Sequence, residues 1–207
     1  MAWIIHPKPL ARWIVGTKTV PDGQEIHQAR LRYRFEDPKG RTPFGGSVIQ
    51  QGLKVPLDLF PREAYVLSST KSPPDFLTIG GWAVSDAIKA IIEQVEPGIH
   101  QFVHVPTFLK SGAPTPKNYY IAVLGHVATN QIDDERTTLR RNPAGEIEPP
   151  SPDGRRGDVA IHREHTAGWH AWWSADIYFS FTISDELNSL LLANEIPGLD
   201  KTHLAER

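Results

Sequence analysis

The sequence contains no cysteine and a single methionine. Without cysteine there are no disulfide bonds and no thiolate metal sites, so we expect a reducing compartment, the cytoplasm. No apolar run approaches the roughly 20 residues that a membrane-spanning helix needs, so we expect no membrane partner. The apolar start of the chain is interrupted by Pro7, Lys8 and Pro9, which does not resemble a secretion signal.

An excess of charge of one sign is also missing. The chain has 22 Lys and Arg against 24 Asp and Glu, a formal net charge of −2. Nucleic-acid binders use a basic excess to displace counterions from phosphates, so this balance argues against such a partner. The chain also lacks the nucleophile elbow of hydrolases, the phosphate-binding loop and the glycine fingerprint of dinucleotide binders. We therefore expect no cofactor, and a protein that works by binding.

What the sequence does contain is a strand–helix unit used twice. In the first copy, Ser85-Asp86 precedes apolar residues spaced as on one face of a helix. These are Ile88, Ile91, Ile92 and Val95. Ser85 is suited to cap the helix, and Asp86 complements the positive end of the helix dipole. Pro97-Gly98 then predicts the end of the helix.

The second copy lies near the end of the chain. Ser184-Asp185 is again the cap, and Pro197-Gly198 is again the stop. The apolar stripe consists of Leu187, Leu190 and Leu191. Alternating apolar and polar residues over 177–183 predict a strand that leads into this helix. The predicted fold class is therefore α+β, a mostly antiparallel sheet with two amphipathic strand–helix units and a β-rich N-terminal portion.

The turn-rich stretch Ser72-Pro-Pro-Asp75 is the best candidate for a domain boundary. It divides the chain into a β-rich N-terminal portion, residues 1–72, and an α+β domain, residues 73–207. One continuous domain is the alternative. Residues 199–207 are interpreted as a short polar tail.

The longest stretch without a regular pattern is 129–170, and three tryptophans stand at its C-terminal end. Long connections are commonly functional, and exposed aromatic residues often act as binding hot spots. We therefore predict partner-binding residues here, namely Asp133, Asp134, Glu135, Trp169, Trp172 and Trp173. In the alternative interpretation the acids are solvated loop residues and the tryptophans belong to the core.

The chain has nine histidines, which raises the possibility of a metal site. His162 and His165 have the spacing of two ligands on one helical turn, with His170 nearby, although the HExxH order of zinc proteases is absent. His100 and His104 lie too far apart along a strand to share one ion, about 13 Å. We predict no metal, and we keep a metal-dependent hydrolase using His162 and His165 as the alternative function.

Four short motifs follow one another along the chain. They are Pro74-Asp-Phe-Leu77, Val84-Ser-Asp86, Tyr119 to Leu124 running down to Asp133, and Phe179 to Asp185. Their order resembles an immunity-protein family of bacterial polymorphic toxin systems, long catalogued as a domain of unknown function. The similarity covers roughly residues 75–198.

This resemblance implies a non-enzymatic cytoplasmic protein, encoded beside a toxin that a type VI or contact-dependent system delivers. Its partner would be that cognate toxin, which it would bind tightly and occlude as one half of an effector–immunity pair. The resemblance carries over no catalytic residues and no cofactor. The activity of the toxin and the oligomeric state stay open.

Overall fold

The computed structural model describes residues 2–7, 17–20, 51–79, 81–139, 141, 147, 158–177, 180–196 and 199–206. Its helices are α1 (Asp86–Val95) and α2 (Asp185–Ala193), and short 3₁₀ turns span Leu57–Leu59 and Arg163–Thr166. The strands are β1 (Ala2–Pro7), β2 (Thr17–Val20), β3 (Glu63–Val66), β4 (Phe76–Thr78), β5 (Trp82–Ser85), β6 (Gln101–Val105), β7 (Thr107–Phe108), β8 (Tyr119–Val123), β9 (Val127–Ala128), β10 (Ala160–Ile161), β11 (Ala171–Ser174), β12 (Ser180–Ser184) and β13 (Leu199–Glu206).

Both predicted strand–helix units are present. Ser85 ends β5 and accepts a hydrogen bond from the Ile88 backbone N–H at 3.4 Å. Ser184 ends β12 and accepts one from the Leu187 N–H at 3.2 Å. Each hydroxyl thus satisfies a donor that the first turn of its helix leaves unpaired. Gly98, with φ of +74°, forms the left-handed exit after α1, whereas Pro197-Gly198 lies outside the described residues.

The two units belong to different sheets. β5 lies in a four-stranded sheet with the order β4-β5-β8-β6, and β12 lies in a six-stranded sheet with the order β10-β13-β1-β12-β11-β9. A third sheet has the order β2-β3-β7. Most of the described pairings are antiparallel, and β10–β13, β9–β11 and β3–β7 are parallel. The predicted α+β class with mostly antiparallel sheets is confirmed.

The two helices meet in one hydrophobic core. Ile88, Ile91 and Ile92 of α1 share a buried cluster with Leu187 and Leu191 of α2. Burying each of these side chains contributes about 1.5–3 kcal/mol, so the predicted stripes are what hold the helices against the sheets. Neither helix in the described part of the chain has the length and apolarity of a membrane span.

The interpretation of residues 199–207 as a polar tail was wrong. Residues Leu199–Glu206 form β13, which pairs antiparallel along the whole of β1, from Leu199 opposite Pro7 to Leu204 opposite Ala2. The strand was missed because its polar sequence lacks a clear alternation. Its backbone groups are satisfied by a partner strand at the other end of the chain.

Strand pairing also crosses the predicted boundary near residue 72. β1 lies between β12 and β13 in the six-stranded sheet, and β3 pairs with β7. Strands from both sides of the boundary therefore share sheets. The division into residues 1–72 and 73–207, with one continuous domain as the alternative, stays a prediction.

Candidate partner-binding site

The structure divides the six predicted partner-binding residues into two groups. Asp134 and Glu135 are exposed and Trp169 is partly exposed. In contrast, Asp133, Trp172 and Trp173 are only 2%, 1% and 7% exposed. A side chain that the fold already covers offers little surface to a partner, so Asp134, Glu135 and Trp169 are the members of the set that remain available for contact.

The buried members have structural roles. Trp172 and Trp173 are consecutive residues of β11 and point to opposite faces of the sheet, so each enters a different hydrophobic cluster. The Trp172 indole N–H donates to Oε1 of Gln131 at 3.3 Å. Asp133 organises a turn, because its Oδ1 accepts from the Glu135 N–H at 3.1 Å. Trp172 and Trp173 are absent from the surface because successive residues of β11 point to opposite faces and both faces are buried.

Among the residues that the structure describes, His162 and His165 gain no third metal ligand. The rings of His162 and His165 have centroids 5.9 Å apart. Within the described ranges, no group of three or more His, Asp or Glu side chains is arranged to hold a metal ion. In the described part of the chain, therefore, nothing favours the alternative hydrolase function.

A different polar cluster, which the sequence did not reveal, is built around Glu96 at the end of α1. This carboxylate is 5% exposed and accepts hydrogen bonds from two successive backbone N–H groups, those of His170 at 2.7 Å and Ala171 at 2.9 Å. Nε2 of His100 lies 2.7 Å from its Oε2, and Nε2 of His126 lies 3.2 Å from its Oε1. We call Glu96 and these four partners the Glu96 hub. It ties the end of α1 to the start of β11.

The backbone beside His100 determines which nitrogen of its ring carries the proton. The Gly125 backbone N–H donates to Nδ1 of His100 at 3.1 Å, so that nitrogen is the acceptor and Nε2 carries the proton donated to Glu96. A Cβ at Gly125 would collide with the Ile99 carbonyl oxygen, so only glycine brings this N–H close enough.

The hub keeps its carboxylate ionised although it is buried. Burial raises the pKa of Glu96, but hydrogen bonds from His100, His170 and Ala171 outweigh it, and the pKa lies below its ordinary value. For His126, burial lowers the pKa despite the attraction of Glu96. His126 is therefore neutral at pH 7.

The hub positions Trp169. The imidazole of His126 stacks on the indole of Trp169 with centroids 4.5 Å apart and planes 5° from parallel. Gly168, with φ of +78°, reverses the chain so that the Trp169 N–H reaches the Thr166 carbonyl at 3.0 Å. Glu96 binds the His126 ring that stacks on the indole, and it also binds the backbone N–H of His170, the residue after Trp169. The indole is therefore held from two sides.

Trp169 and α2 border a surface cleft of about 400 Å³. The cleft is lined by Arg163, Thr166, Ala167, Gly168, Trp169, His170, Trp172, Ser184, Asp185 and Glu186. The charged side chains of the lining are Arg163, Asp185 and Glu186.

The cleft places a serine, a histidine and an acid side by side, but not as a catalytic triad. Ser184 Oγ lies 3.0 Å from Nδ1 of His170, and Glu186 Oε2 lies 3.9 Å from the same nitrogen. A triad requires the serine on one ring nitrogen and the carboxylate on the other. In addition, Ser184 already accepts the Leu187 N–H as the helix cap. The Ser184 hydroxyl is therefore held by hydrogen bonds and is not activated as a nucleophile.

One signal in the sequence could have revealed the hub. Glu96 follows the last residue of α1, where a negative charge opposes the negative end of the helix dipole. An acid in that unfavourable position suggests a tertiary partner, and His100 stands four residues further on. The contacts to His126, His170 and Ala171 have no local signature.

Comparison with known proteins places the chain. No curated protein matches it. A family model described as an immunity protein family, Imm11, matches residues 17–205. The match includes both strand–helix units, the Glu96 hub and the cleft. Since it covers nearly the whole sequence, the chain belongs to the Imm11 immunity protein family.

Proposed function

We propose that this protein is the immunity partner of a cognate secreted antibacterial toxin, which it neutralises in the cytoplasm by binding and occluding it, without catalysis of its own. The family match over residues 17–205 is the observation that carries this proposal. The toxin belongs, in this proposal, to a polymorphic toxin system that uses type VI or contact-dependent delivery.

The surface around Trp169 suits such a role. Neutralising a toxin requires tight binding, and standard-sized interfaces bury about 1,600 Å² around a few dominant anchors. Rigid aromatic residues are favoured anchors because they lose little conformational entropy on binding. Trp169 has this character, since His126 and the backbone around Gly168 hold it before any partner arrives. The exposed acids Asp134 and Glu135 are proposed as further contacts.

Co-expression with the product of the adjacent reading frame tests the proposal. That product is expressed alone and together with this protein, and the pair is then purified through a tag on either chain. We expect growth arrest in the first case, and growth with a stable complex in the second. A neighbour that is harmless alone, or that fails to co-purify, would contradict the proposal.

A further inference from the structure

We propose that Glu96 is a positioning residue for toxin binding, which fixes the Trp169 indole in the orientation that the toxin meets without touching the toxin itself. This inference rests on the proposed function and on Trp169 as an anchor of the interface. It assigns to a buried side chain a share of the binding affinity, in addition to its share of the stability.

One oxygen atom of Glu96 binds both of the groups that adjoin the Trp169 indole. Its Oε1 accepts the backbone N–H of His170, the next residue along the chain, at 2.7 Å. The same Oε1 lies 3.2 Å from Nε2 of His126, whose ring stacks on the indole with centroids 4.5 Å apart. A single acceptor atom therefore fixes both the backbone beside the indole and the ring on its face.

The other oxygen atom fixes Glu96 itself. Oε2 accepts the Ala171 N–H at 2.9 Å and lies 2.7 Å from Nε2 of His100. The residue is only 5% exposed, so a partner at the surface meets the groups around Glu96 rather than its carboxylate. Any effect of Glu96 on binding therefore passes through those groups.

The number of donors explains why a carboxylate occupies this position. Burial disfavours a charge, and the position just after the last residue of α1 places that charge at the negative end of the helix dipole. A neutral amide would avoid both costs, but it has one acceptor oxygen, whereas a carboxylate has two. Glutamine in place of Glu96 therefore leaves two of the four donors without an acceptor.

An indole that is already fixed binds more tightly than a mobile one. Ordering a single mobile side chain during association lowers the affinity by about two- to tenfold. Trp169 is partly exposed and borders the cleft, so part of its surface stays available to the toxin. Because the hub fixes the indole in the free protein, this ordering cost does not arise on binding.

A double-mutant cycle against the purified product of the adjacent reading frame tests the inference. The cycle consists of Glu96→Gln, Trp169→Ala and the double variant, with dissociation constants measured under conditions in which each variant is folded. Glu93→Gln is the matched control, the same chemical change at an exposed position of the same helix. Ser85→Ala is a second control, because it lowers stability at the other end of α1.

We expect Trp169→Ala to weaken binding about 30-fold or more, the level of a hot-spot residue. Glu96→Gln should weaken binding about two- to tenfold in the original protein. In the Trp169→Ala background the same change should have less than about a twofold effect, because no indole is left to position. Glu93→Gln and Ser85→Ala should leave the affinity as it is.

A measurement on the free protein distinguishes positioning from stability. The indole N–H resonance of Trp169 is identified by its absence from the NMR spectrum of Trp169→Ala. It should shift or broaden in Glu96→Gln, because the ring then samples more than one orientation, and it should stay in place in Glu93→Gln and Ser85→Ala. An unchanged resonance in Glu96→Gln would overturn the inference.

The outcomes also separate this inference from the function on which it rests. If the unmodified protein does not bind the neighbouring product, both fail. If it binds, and Glu96→Gln binds as tightly as Glu93→Gln or weakens binding equally with and without the indole, the positioning role is overturned while the immunity function stands. Should Glu96→Gln fail to fold, His126→Ala replaces it in the same cycle with the same expected pattern, because it breaks the connection between Glu96 and the indole.

Discussion

The two strand–helix units begin with the same Ser-Asp cap, but only the second unit presents this cap at the surface. The start of α1 is covered: Ser85 is fully buried, and the Asp86 N–H donates to the Asn118 carbonyl at 3.1 Å. Its other end leads into the Glu96 hub. In α2 the start faces the cleft, with Ser184, Asp185 and Glu186 in its lining.

This difference shows that the same capped-helix sequence pattern has two different roles in the tertiary structure. Helix α1 acts as a support, because its last turn brings Glu96 to the backbone of His170 and Ala171. Helix α2 presents charged side chains to the surface. Glu96 lies 74 and 75 residues along the chain from the two backbone N–H groups that it binds, so the hub joins distant segments of the chain.

Substituting Glu96 should have the largest effect on stability, because it removes the supporting contacts at the end of α1. Glu96→Ala leaves four donors around a buried gap, and we expect a loss of about 3–5 kcal/mol in the free energy of unfolding, because each buried donor left unsatisfied costs about 1–3 kcal/mol. Glu96→Gln keeps the volume but replaces an acceptor oxygen with a donor, so a smaller loss is expected. Chemical denaturation measures both.

Glu93→Gln is the control for the hub. Glu93 lies on the same helix, is 42% exposed and pairs with Lys89 on the surface. Its loss should cost about 0–1 kcal/mol. Equal costs for Glu93→Gln and Glu96→Gln would show that the hub does not support the fold.

Alanine substitutions at two glycines should have the next largest effect on stability, and they should differ in their effect on toxin binding. Gly98 and Gly168 both have φ near +75°, and a Cβ at either would meet nothing within 4 Å. Each change to alanine should therefore cost about 1–2 kcal/mol of stability through backbone strain alone. Only Gly168→Ala should also weaken toxin binding, because only Gly168 sets the direction of Trp169. Similar affinities for the two variants would separate Trp169 from the interface.

The two capping serines can be compared directly by substituting each with alanine. Ser85→Ala and Ser184→Ala should each lower the free energy of unfolding by about 1 kcal/mol, the usual contribution of a helix cap. Ser184→Ala also frees the His170 ring, which its Oγ contacts at 3.0 Å. We therefore expect a change in toxin affinity for Ser184→Ala and none for Ser85→Ala. Isothermal calorimetry alongside thermal unfolding compares them.

Lowering the pH should reduce the free energy of unfolding in two stages, first through His126 and then through Glu96. The pKa of His126 lies below 6.5, so below that pH the unfolded chain takes up a proton that the folded protein excludes, and stability falls. The pKa of Glu96 lies below 4.5, so its contribution is complete above that pH and is lost as pH falls through the lowered value.

His126→Phe tests the upper stage, because phenylalanine retains a ring against Trp169 and does not titrate. Its stability should change less than that of the original protein as pH falls just below 6.5, in denaturation measured at a series of pH values. An unchanged slope in His126→Phe would contradict the assignment.

The success of the sequence predictions followed the range of the interactions. Helices α1 and α2 were predicted because their caps and stripes involve residues within one or two turns of each other. Strand β13 was missed because its pairing with β1 joins the two ends of the chain. Trp169, Trp172 and Trp173 looked alike in the sequence, yet β11 buries the last two and leaves Trp169 partly exposed.

The sequence by itself determined the two capped helices, their apolar faces, the α+β class and the family. Those features depend on local hydrogen bonds and on a regular apolar spacing, which neighbouring residues specify completely. Only the tertiary structure decided that Glu96 joins His100, His126 and the start of β11, and that Trp169 borders a cleft with Asp185 and Glu186. Those groups come from distant segments, and their charges gain value only where folding brings them together and removes water.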